Sequence, residues 1–145
     1  MKKSIVIGIL ISPLVACSTS QPSNSFNVRT ADFSKATDNQ LCIVYGYRIN
    51  RSEEAKLELV KRKIFTDSEW KDISKHQVSV GMSECGVKAA YSINYKKVIN
   101  TQFINGNTGK SFIYSCRSSQ AKHCPYTKID IINGRVESVS TIQKI

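Results

Sequence analysis

The side chains with the most chemistry to offer are five cysteines, Cys17, Cys42, Cys85, Cys116 and Cys124, and two histidines, His76 and His123. No two cysteines have C-x-x-C spacing and the histidines stand far apart, so the sequence predicts no metal site. His123 adjoins Cys124, but one neighbouring pair is not a ligand set. Cys85 as a nucleophile would need a histidine partner and a reducing compartment. There is no G-x-S-x-G, no H-E-x-x-H and no Gly-rich phosphate loop. The acids sit mostly in capping and helix-face positions, which does not suggest a general acid–base pair. The expectation is a non-enzyme with no catalytic residues and no cofactor.

Cys17 has the clearest chemistry. Lys2 and Lys3 precede an apolar run from Ile5 to Val15, interrupted at Gly8, Ser12 and Pro13. The run has the length of a signal-peptide core and is too short to span a bilayer as a helix. Leu14-Val15-Ala16-Cys17 resembles a lipobox. That resemblance implies a lipoprotein signal peptide at 1–16, cleavage before Cys17 and acylation of Cys17. Acyl chains contribute about 0.8 kcal/mol per buried CH₂, so two or three together (palmitate among them) anchor a protein stably. Ser18 rather than Asp after the cysteine leans towards the outer membrane.

Four cysteines then remain, an even number in an exported chain, which argues for two disulfides. Sequence alone permits three pairings. The favoured one closes a nine-residue loop with Cys116 and Cys124 and ties Cys42 to Cys85.

Processing would leave 129 of the 145 residues, enough for one domain with a real core. Losing Lys2 and Lys3 from 21 Lys and Arg leaves 19 against 11 Asp and Glu, a net charge of +8. That favours anionic partners, but export argues against nucleic acid. The basic residues are scattered apart from Lys61-Arg62-Lys63, and read as a solvated face. Residues 17–38 open on a polar, Ser-rich stretch and are expected to form the acylated N-terminus and a flexible tether. The globular domain is expected at 39–145.

The elements follow from capping and periodicity. Leu41 to Tyr47 is apolar and ambiguous between helix and strand. Ser52 reads as an N-cap before a helix whose apolar stripe would be Leu57, Val60 and Ile64. Thr66 to Glu69 is a capping box, with Phe65 and Trp70 placed as a hydrophobic staple. A third short helix is predicted from Ser83, with Cys85 and Ala89 on one side. Strand signals begin near Val98. Phe112, Tyr114 and Cys116 alternate with polar or opposite-facing residues, and Asn133-Gly134 marks a two-residue hairpin. The last strand, carrying Arg135 and Glu137, is expected at a sheet edge. The predicted fold class is α+β: two or three short helices packed on a three-stranded antiparallel sheet.

Val80-Gly81-Met82-Ser83, Phe112-Ile113-Tyr114 and the hairpin from Tyr126 through Asn133-Gly134-Arg135-Val136 resemble small proteobacterial envelope lipoproteins of the SmpA/OmlA (BamE-like) family. The resemblance covers roughly residues 76 to 142. The chain departs from it at Tyr91-Ser92-Ile93, where the family often has Gly-x-Pro. The resemblance implies two helices against a three-stranded sheet, as in half of a β-lactamase-inhibitory protein. It also implies a non-enzymatic, periplasm-facing outer-membrane protein that works through protein contacts in the cell envelope, as an assembly accessory or stabilising module. Two other roles fit the sequence: a periplasmic inhibitor or immunity module against a hydrolase, and a binder of anionic envelope lipids or glycans.

Overall fold

The computed structural model describes residues 26–116 and 125–145. Four helices, α1 (Asp38–Tyr47), α2 (Ser52–Lys61), α3 (Asp67–Ser74) and α4 (Glu84–Tyr91), precede four strands. These are β1 (Lys97–Gln102), β2 (Thr108–Tyr114), β3 (Tyr126–Ile132) and β4 (Arg135–Ile142). The strands form one antiparallel meander in the order β1-β2-β3-β4. The α+β class is as expected, but the element count is larger. The extra strand, β1, is an edge of mainly exposed residues, with no apolar alternation to announce it.

The ambiguous run becomes α1. Thr37 and Gln40 cap it reciprocally, each side chain meeting the other's backbone N–H. Leu41, Cys42, Val44, Tyr45 and Gly46 are all buried, because the helix is enclosed by α2 and α4. A helix buried on several sides loses the clean one-sided period that sequence reading relies on.

The expectations for α2 are corrected in two respects. Arg51, not Ser52, is the N-cap, and Ser52 is the buried first residue of the helix. Of the predicted stripe, Ile64 packs against the core just beyond the helix, but Leu57 is 70% exposed and Val60 50%. Ser52, Ala55 and Leu59 are buried instead, at i, i+3 and i+7. Two small residues let α2 approach α1 closely. The same face also carries Arg62, whose guanidinium is needed inward.

The α3 signals hold. Thr66 and Glu69 complete the capping box. Phe65 meets Trp70 edge-on at 5.0 Å between ring centroids, and Tyr45 meets the other side of Trp70 at 5.7 Å. Ser83 caps α4 through the Gly86 N–H. Cys85 joins α1 through a disulfide to Cys42, and Ala89 is buried.

All four helices lie on one side of the sheet. Phe112, Tyr114, Ile129, Ile131 and Val136 meet Leu41, Leu59, Ile73, Met82 and Val87 in a single core. The β3–β4 turn has Asn133 at φ 49° and Gly134 at φ 79°, the two positive values that a right-twisted two-residue hairpin requires. Just before α4, the backbone of Gly81 to Glu84 bonds to Gly134 and Val136, covering the start of the β4 edge.

The boundary of the domain lies further towards the N-terminus than 39. Part of the expected tether, residues 26 to 38, packs on the helices. Phe33 and Ala36 are buried in the core, with Phe26, Val28 and Ala31 packed against it. Two arginines hold this leader. Arg51 donates to the Val28 and Ala31 carbonyls at 3.0 and 2.8 Å. Arg62 donates to the carbonyls of Phe33, Ser34 and Ala36 at 3.0, 2.9 and 2.7 Å. These donors add to the Ala36 N–H that the Phe33 carbonyl already accepts, and most of the contacts are partly buried.

Candidate interaction surface

The sheet has a second face, and among the described residues no helix covers it. Alternation along each strand assigns it Lys97, Ile99 and Thr101 from β1, Ser111 and Ile113 from β2, Lys128 and Asp130 from β3, and Ser138 and Ser140 from β4. Asp130 lies at its centre. Ser111 donates to one carboxylate oxygen from β2, and Ser138 donates to the other at 3.0 Å from β4. Lys128, two residues along β3, closes an ion pair at 2.8 Å. Burial pushes the Asp130 carboxyl up, but the bonds from Lys128, Ser111 and Ser138 together outweigh that and hold it below the usual carboxylate value. Asp130 therefore stays ionised as a fixed acceptor that clamps three strands.

A β-bulge makes this possible. An uninterrupted two-residue hairpin would set Asp130 against Glu137, two like charges directly opposed. The register slips between Asp130 and Ile131, and Asp130 meets Ser138. The slip also sets Val139 opposite core residue Ile129 while Ser138 and Ser140 take the outer face. Near this centre Ile113 is buried between the cross-strand neighbours Lys97 and Lys128, and Ile99 is 39% exposed.

The cysteines and histidines singled out in the sequence scatter over the molecule. The Cys42–Cys85 disulfide is present, with Cα atoms 5.5 Å apart and the two cysteines 43 positions apart in sequence. Cys116 is also a disulfide cysteine, but its expected partner Cys124 lies outside the described residues, as do His123 and the lipidation residue Cys17. His76 lies at the rim of a 430 Å³ cleft formed with Tyr91, Ser92, Asn94 and Tyr114. Its Nδ1 sits 3.0 Å from the Ala90 carbonyl, which can only accept, so this nitrogen carries the proton. The Tyr114 hydroxyl donates to the Ser92 carbonyl, and burial raises its pKa well above the usual phenol value, so it stays protonated.

The basic run at 61–63 is divided among tasks. Lys61 is exposed beside Glu58, while Arg62 turns inward to Glu58, Asp38 and the leader carbonyls. Across the sheet from Asp130, Glu84 is held by Lys88 and Lys110 at 2.8 and 2.7 Å. Burial raises its pKa, and the bonds from Lys110 and Lys88 outweigh this and lower it.

Sequence reading missed the Asp130 cluster. Its signal was present in part, since Lys128 and Asp130 alternate with Ile129 and Ile131. Its partners, however, come from two other strands, and the bulge decides one of them.

Among the described residues no group of His, Cys, Asp and Glu is placed to hold a metal ion, and no helix is long and apolar enough to cross a membrane. Comparison with family models, with curated proteins and with solved structures finds no match for this chain.

Proposed function

We propose that this chain is a lipid-anchored domain of the outer membrane, facing the periplasm, which works by protein contact rather than by catalysis. The observation that carries the reading is the sheet face that no helix covers among the described residues, stiffened by Asp130 and mixing apolar and cationic side chains. Ile99 supplies apolar contact area, and Lys97 and Lys128 supply the rim charge that selects and steers a partner. The acids also support it. Glu58, Glu84 and Asp130 are each fixed by cations in the ionised form, which suits scaffolding rather than proton transfer. The apolar run, lipobox-like residues and Cys17 motivate the anchor, and the SmpA/OmlA (BamE-like) resemblance motivates an envelope-assembly role.

The test is in-cell crosslinking of the full lipoprotein, with a photoreactive residue placed at Ile99, Thr101 or Ser140. The expected result is one saturable adduct with an envelope protein, identified by mass spectrometry and lost on Lys97→Glu, a change at an exposed lysine outside the Asp130 cluster. Anchored protein that gives no protein adduct from any of the three positions would refute the contact role. In parallel, Cys17→Ala is expected to leave the membrane fraction; retention at wild-type apparent mass would refute the anchor.

A further inference from the structure

The docked leader changes how the anchor works. Between Cys17 and Phe26 the chain has nine peptide steps rather than the 22 of a tether ending at 39. Nine steps reach at most about 30 Å whatever their conformation. A domain of this size is itself roughly 30 to 35 Å across. The face of the domain that carries Phe26 is therefore the one held nearest to the acylated residue.

That face is apolar. Phe26 and Val28 from the leader, Ile43 and Tyr47 from α1, and Ile49 just beyond it surround a small cleft of 170 Å³. Ile43 and Tyr47 are one helical turn apart on the outward side of α1. Ile49 is 59% exposed and Tyr47 37%. Exposed Arg29 lies in the leader beside Val28. Aromatic rings and aliphatic side chains grouped together, with a cation next to them in the chain, suit the headgroup boundary of a bilayer, where amphipathic side chains partition.

We propose that the Phe26–Ile43–Tyr47–Ile49 face rests on the lipid surface and fixes the orientation of the domain, leaving the sheet face free for a protein. This rests on the acylation of Cys17 proposed above. Contact of so small a patch would be weak in solution, but the short tether keeps it at high effective concentration.

The experiment uses the full lipoprotein in vesicles of phosphatidylethanolamine and phosphatidylglycerol. A photoreactive residue is placed at Ile43, Tyr47 or Ile49, or at Lys71 or Glu137 as references. Lipid adducts are expected to be about fivefold or more abundant at the first three positions, as interfacial burial implies. Ile49→Asp is expected to lower the yield at position 43 by a similar factor, while the urea midpoint stays at the wild-type value because Ile49 is exposed. Mass spectrometry of the N-terminal peptide separates the two ways of failing. Acylated Cys17 with equal lipid yields at all positions leaves the anchor standing and overturns the docked orientation. Unmodified Cys17 removes the anchor and the orientation with it.

Discussion

Single side chains do more of the holding than the hydrophobic count suggests. Arg62, with its side chain 23% exposed, satisfies three leader carbonyls and two carboxylates. Arg62→Met would remove those donors and is expected to lower the urea midpoint. It should also let trypsin cut at Arg29 and Lys35 at rates that the wild type resists. Arg62→Lys should not restore protection, because one ammonium cannot reproduce the planar fork. Asp130 and Glu84 make a second prediction. Both have lowered pKa values, so their contribution is complete above the ordinary carboxylate range, about pH 4, and is lost as pH falls through their lower folded values. Urea midpoints should decline on going from pH 6 to pH 3, and Asp130→Asn should show a shallower decline.

At the scale of elements, the closest seam is between α1 and α4. A Cβ added at Gly46 would collide with the Lys88 carbonyl, and that carbonyl belongs to helix backbone and cannot swing aside. Gly46→Ala is therefore expected to destabilise by about 3 kcal/mol, against the gain an alanine normally brings to a helix. One turn away Cys42 and Cys85 join the same two helices covalently. Nothing in Tyr45-Gly46-Tyr47 read as sequence says that another helix lies against the glycine. The caps at Thr66 and Ser83 were legible because their partners are three residues away, as was the Asn133-Gly134 hairpin, whose geometry is local.

For the molecule as a whole, the Cys42–Cys85 bridge spans most of the helical layer. On the chain-entropy model, closing a loop of that length is worth about 4 kcal/mol. Cys42→Ala with Cys85→Ala, which leaves the Cys116 disulfide intact, should lower the urea midpoint by a corresponding amount without changing the far-ultraviolet dichroism at low denaturant. Loss of helical signal in water would mean that the bridge is required to form the fold. The layering also separates two surfaces. One side of the sheet is committed to the core, and no helix among the described residues covers the other.

Composition, caps and turn chemistry determined in advance the α+β class, three of the helices, the final hairpin and the favoured partner of Cys42. All of these depend on residues close in sequence, or on a pairing with few alternatives. Tertiary structure alone decided which face of α2 turns inward: Ser52, Ala55 and Leu59 are buried there and Arg62 reaches the leader carbonyls, while Leu57 and Val60 stay exposed. It also docked residues 26 to 38, which read as polar tether because their partners, Arg51 and Arg62, lie on α2 or its flanks. And it gathered Ser111, Lys128, Asp130 and Ser138 on one face, since a single-residue bulge sets that register and no local pattern records it.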